Sequence, residues 1–83
     1  MAKFRKKPVV VEAVQWTGFN LNEVKVLGGD KVIVGPEHPP IVKTANGLVG
    51  LSRHAWLVRD PTSGDTWPVD YRIFEQTYEL VEE

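Results

Sequence analysis

The stretch Ile41-Val42-Lys43-Thr44-Ala45-Asn46-Gly47-Leu48-Val49-Gly50-Leu51 decides the fold class. Two short runs rich in branched apolar residues flank Asn46-Gly47, and Asn-Gly is the strongest short-range hairpin signal because both residues tolerate positive φ. An antiparallel hairpin is predicted here. Toward the C-terminus, residues 55–59 and 66–69 repeat the pattern around Asp60-Pro61-Thr62-Ser63-Gly64-Asp65, a segment of turn formers, and predict a second hairpin. Asp70 suits the cap of a single helical turn through Phe74, and residues 77–81 read as a closing strand. Toward the N-terminus, Gly35-Pro36-Glu37-His38-Pro39-Pro40 carries three prolines, which remove donors and fix φ, so the segment reads as a rigid exposed loop without a regular ladder. Residues 31–34 before it form a strand.

Residues 9–16 are mostly β-branched or aromatic and alternate Val10, Glu12, Val14, Trp16 against Val9, Val11, Ala13, Gln15, the pattern of a strand buried on much of both faces. Between this strand and the next, Asn20 precedes Glu23 by the capping-box spacing, Leu21, Val24 and Leu27 share one helical face, and Gly28-Gly29 supplies a C-cap. A two-turn helix is unstable alone, so it needs a sheet beneath it. Strands dominate, and no internal repeat or low-complexity tract interrupts them. The reading is a single α+β domain over residues 1–83, mostly β: a small, strongly bent antiparallel sheet or an SH3-like, barrel-like domain with one short helix. Residues 1–7 form a basic, flexible flank.

Composition excludes several classes of function. The net charge of −1 gives no general attraction to phosphate backbones or anionic membranes, and no apolar run approaches the roughly 20 residues that span a bilayer. The chain reads as cytoplasmic, with no membrane association. With no cysteine there is no disulfide, thiolate nucleophile or Cys-ligated zinc.

The motifs Lys3-Phe4-Arg5-Lys6-Lys7-Pro8-Val9-Val10-Val11-Glu12-Ala13-Val14-Gln15-Trp16-Thr17-Gly18 and Phe74-Glu75-Gln76-Thr77-Tyr78-Glu79 resemble a family of small uncharacterised bacteriophage and prophage proteins. Its members open with Lys-Phe-Arg-Lys-Lys-Pro-Val-Val-Ile-Glu-Ala and close with Ile-Phe-Glu-x-Thr-Tyr-Glu. This chain departs from the pattern at Arg53-His54-Ala55, where many relatives have Pro-Gly-Asp, and at Pro68-Val69-Asp70-Tyr71-Arg72, where they have Pro-Cys-Lys-Pro-Asp. The resemblance implies a phage gene product made in an infected or lysogenic bacterium, where small accessory proteins modify host processes or blunt host defence. It brings no catalytic or ligand-binding residues with it.

Candidate chemistry is therefore weighed residue by residue. His38 and His54 are the only histidines, and nothing in their spacing supplies further metal ligands. Ser52, His54 and Asp60 are the residue types of a hydrolytic triad, yet no Gly-x-Ser-x-Gly elbow frames Ser52. No catalytic residue, metal or cofactor is assigned. Gly28-Gly29-Asp30 follows a helix instead of opening one, the wrong end for a phosphate. Trp16, Trp56 and Trp67 supply apolar area that so small a core needs, and one of them beside arginine has the composition of a protein-binding hot spot. The surface predicted to bind a host protein combines Trp56 or Trp67 with Arg53, His54, Arg59 and residues 36–40. The leading reading is thus a non-enzymatic phage accessory protein that binds and blocks or modulates a host protein. A nucleotide-signal binder that clamps base and phosphate with Trp and Arg is the first alternative. The second is a nucleic-acid-binding small barrel that uses Lys3, Arg5, Lys6 and Lys7. A homodimer stands beside the monomer, because a small chain gains stability by burying an edge strand against a copy of itself.

Overall fold

A run of four residues, Trp56-Leu57-Val58-Arg59, forms the strand around which the rest is arranged, because both of its central side chains are apolar and both are fully buried. The computed structural model describes residues 2–3 and 10–80. In chain order the elements are β1 (Glu12–Gln15), α1 (Leu21–Gly28), a 3₁₀ turn (Gly29–Lys31), β2 (Val32–Gly35), β3 (His38–Thr44), β4 (Gly47–Gly50), β5 (Trp56–Arg59), β6 (Thr66–Val69) and α2 (Tyr71–Thr77). The chain is α+β and mostly β, with its strands in two three-stranded antiparallel sheets of order β1-β5-β6 and β2-β3-β4.

Period-two alternation gives β5 two different faces. Leu57 stands in register with Val14 and Pro68, whereas Val58 stands in register with Ala13 and Trp67 on the opposite face. The Leu57 face turns toward α1 and the second sheet, where Val24, Val32, Val42, Leu51, Ala55 and Leu57 form the core, with Val14, Trp16 and Leu27 packed against it. Each Leu or Val buried so completely stabilises the fold by about 1.5–3 kcal/mol. Thr66 is the one buried polar residue among those described, and its hydroxyl donates to the Lys43 carbonyl at 3.0 Å. That bond ties β6 of one sheet to β3 of the other.

Both predicted hairpins and the first helix form, with changes of detail that have physical causes. The β3–β4 connection is Ala45-Asn46, one position earlier than Asn-Gly, with Thr44 opposite Gly47 and the Thr44 hydroxyl donating to the Gly47 carbonyl at 2.8 Å. Asn20 precedes α1 but makes no capping bond from its side chain. Its carboxamide instead closes the β1–α1 loop: Oδ1 accepts from the Thr17 amide at 2.9 Å, and Nδ2 donates to the Gln15 carbonyl at 2.7 Å. The proline segment is a correction to the sequence reading. Only Pro36-Glu37 turns, and β3 begins at His38 and takes in Pro39 and Pro40. The ladder tolerates them because the register shifts between Ile33 and Gly35, so the prolines lie beside an irregular stretch where donors are not required. Pro40 still contributes its carbonyl, which accepts from the Leu51 amide at 2.8 Å.

The C-terminal end is a second correction. In place of a single turn and a closing strand, α2 runs seven residues to Thr77, and residues 78–80 form no strand. The domain therefore has two short helices. Asp70 does cap α2, accepting from the Arg72 amide at 2.9 Å. No described helix is long and apolar enough to cross a membrane. Val9, Val81 and, from the basic flank, Arg5, Lys6 and Lys7 lie outside the described residues, whereas Lys3 is described and exposed.

Candidate protein-interaction surface

The loop after β1 sets one edge of the candidate surface. Gly18 has φ 95°, and a Cβ there would lie 2.5 Å from Nη2 of Arg53, so only glycine lets the guanidinium settle over the loop backbone. Arg53 then reaches the next residue, its Cζ lying 5.5 Å from the centroid of the Phe19 ring. Phe19 is 88% exposed, which is unusual for a phenylalanine held in place by a cation. Such an exposed cation–π contact contributes about 0.5–1 kcal/mol.

Beside Arg53, His54 has φ 74°, the only positive φ outside glycine among the described residues. Two bonds hold this left-handed backbone: its amide donates to the Trp16 carbonyl, 2.6 Å away, and its carbonyl accepts from Gln15 Nε2 at 3.0 Å. The conformation turns the imidazole toward α2, where it meets Tyr71 edge-on with ring centroids 6.4 Å apart. Arg72 folds back on the same ring, Nε donating to the Tyr71 hydroxyl at 3.1 Å.

One turn further along α2, Phe74 lies flat on Trp56, with centroids 4.1 Å apart and ring planes inclined by 7°. Tyr78 stacks on the other side of Phe74 at 4.9 Å. Because Trp56 and Leu57 alternate, this stack covers the face of β5 opposite α1. Phe19, Arg53, His54, Tyr71, Arg72, Phe74 and Tyr78 thus make an aromatic and cationic ridge that starts on the β1–α1 loop and follows α2. Trp56 is its foundation, half-buried under Phe74.

The structure separates other residues from this ridge. Arg59 is at the far end of β5 and on its α1 face, in an ion pair with Glu12 at 3.4 Å. There it lines an open groove of about 510 Å³ with Ala13, Asn22, Glu23 and Val26. Two carboxylates and a guanidinium that is already paired make that groove a poor phosphate site. Trp67, half-buried on β6 in register with Val58, is on the same face of the sheet as Trp56 but takes no part in the stack of rings on it. Residues 36–40 are spent on the β2–β3 turn and the start of β3, with His38 Nδ1 2.8 Å from the Pro39 carbonyl. Ser52 and Asp60 do not join His54. Asp60 is at the opposite end of β5, about 20 Å along an extended chain at 3.3 Å per residue, and its carboxylate is engaged by the Thr62 amide at 2.8 Å. Among the described residues no three His, Asp or Glu side chains gather as a metal site would require. No buried side-chain polar atom among them lacks a partner.

Comparison with known proteins yields no match: no family model, no curated protein and no solved structure is similar to this chain.

Phe19, Tyr71, Phe74 and Tyr78 are site residues that sequence reasoning misses. The last three carried a usable signal, since their spacing of three and then four residues puts them on one helical face. Reading residues 77–81 as a strand hid it. Phe19 had no such signal, because a single aromatic between Gly18 and Asn20 has no periodic neighbour.

Proposed function

We propose that this protein is a non-enzymatic accessory protein of phage origin that binds a protein of its bacterial host and blocks or modulates it. The observation that carries this reading is the exposed ridge itself. Aromatic and arginine side chains dominate the energetic centres of protein interfaces. Here they already touch one another before any partner arrives, Phe19 with Arg53 and Tyr71 with His54 and Arg72. Pre-ordering reduces the side-chain entropy that binding would otherwise cost. The groove beside Arg59 offers neither the charge nor the enclosure of a nucleotide pocket, which turns the reading away from a small-molecule binder.

The test is affinity capture from host lysate with the wild-type chain and the Phe19→Ala and Arg59→Ala variants. Phe19 is exposed and Arg59 partly so, and both variants should fold. The expected result is a host protein retained by wild type and Arg59→Ala and lost with Phe19→Ala. Retention by all three would reject the ridge as the docking surface. Trp56→Ala is a poor control, because it removes the platform under Phe74 and disturbs α2 as well as any partner.

A further inference from the structure

We infer that the partner presents carboxylates to the ridge: an acidic protein segment with an apolar side chain that covers Phe19. The inference rests on the ridge being the docking surface, and it names the chemistry of what docks there. Among the described residues the single ion pair is Arg59 with Glu12, at the other end of β5. Among the described residues neither Arg53 nor Arg72 reaches a carboxylate. Asp70, the acidic residue nearest in sequence to Arg72, directs its carboxylate to the Arg72 backbone amide instead.

Both guanidinium groups are nevertheless positioned. Arg53 lies over Gly18 and Phe19, and Arg72 Nε donates to the Tyr71 hydroxyl, which leaves its two terminal nitrogens without an acceptor among the described residues. An arginine held as a planar fork matches a carboxylate with two parallel hydrogen bonds and loses little freedom on forming them. His54, next to Arg53 in the chain, meets the Tyr71 ring over which Arg72 folds, and Phe19 is exposed beside Arg53, so the ridge offers two anion-binding forks beside one apolar anchor. A nucleic acid is a poorer fit. Two arginines displace few counterions, too few for the strong, steeply salt-dependent grip that a phosphate chain requires.

The experiment is an NMR titration of the full chain that follows the Arg53 and Arg72 Nε–Hε signals and the Phe19 amide. The probes are a synthetic peptide of Glu, Leu and Phe, the same peptide with Gln at every Glu, and an oligothymidylate of equal length. The acidic peptide should shift all three signals, bind about tenfold or more tightly than its Gln counterpart, and weaken about tenfold with Arg53→Gln or Arg72→Gln. Arg59→Gln should change nothing, and added salt should weaken binding. Equal affinity of the Glu and Gln peptides would overturn the inference. So would an oligothymidylate that binds the ridge more tightly than the acidic peptide, which would make the surface a nucleic-acid site. The two ideas fail separately. If Phe19→Ala loses the captured host protein while Arg53→Gln and Arg72→Gln keep it, the docking surface stands and the acidic partner falls. If Phe19→Ala keeps it, the docking surface itself falls.

Discussion

The two helices lie on opposite sides of β5 and are held there by different means: α1 packs on the sheet, whereas α2 meets it through Phe74 on Trp56. α1 places Val24 in the core with no exposed surface at all, and its cap residue, Asn20, makes no side-chain bond to the helix. α2 buries no residue completely, but it is capped by Asp70 and clamped by the Trp56–Phe74–Tyr78 stack. A helix this short gains little from propensity and must borrow stability from its surroundings. α1 borrows it from the core and is part of the fold. α2 borrows it from a cap and a stack of rings, so its other side chains remain free to face outward. The contrast explains why the candidate surface is on α2 and its neighbouring loop.

The strongest way to break the comparison is to charge the α1 side. Val24→Asp buries a carboxylate among apolar groups with no partner, costs more than about 4 kcal/mol, and should abolish the cooperative thermal transition. The corresponding change on α2 is milder. Phe74→Ala should cost about 2–3 kcal/mol, and hydrogen exchange should show α2 amides losing protection while β5 amides keep theirs. Equal loss in both elements would mean that α2 belongs to the same cooperative unit as α1.

A smaller effect separates backbone from side chain at His54. Gly and Ala both remove the ring, yet only Gly relieves the left-handed backbone, so urea denaturation should find His54→Gly about 1 kcal/mol more stable than His54→Ala. Asp70→Ala should cost about 1 kcal/mol through loss of the α2 cap, read by the same method. The smallest change is expected at Arg59→Ala, within about 0.5 kcal/mol, because its ion pair with Glu12 is solvent-exposed.

What the sequence made legible follows from which interactions are local. Alternation and turn chemistry are written in consecutive residues, so both hairpins, α1 and the Asp70 cap could be read directly. The prolines of β3 misled because the register shift that excuses them depends on how β2 pairs, which Pro39 and Pro40 do not record. At the site, Arg53, His54 and Arg59 all have residue types suited to binding, but Arg59 stands at the other end of β5, paired with Glu12. Residues close in sequence stand at opposite ends of a strand. The contacts that define the ridge, Arg53 on Phe19 and Phe74 on Trp56, join segments far apart in the chain, and no spacing rule encodes them.

The pairing of β1 also bears on the order of assembly. β2, β3 and β4 are joined by short turns, as are β5 and β6, and such contacts form quickly because little chain must be closed. β1 meets β5 across a separation of 47 residues at Glu12 and Arg59. Its loop-closure cost is the largest of any strand pair here, so the hairpins should form before it docks. During synthesis β1, which emerges before the other described strands, therefore pairs after the hairpins, and the sheet that carries the ridge is completed only after the ribosome has released β5.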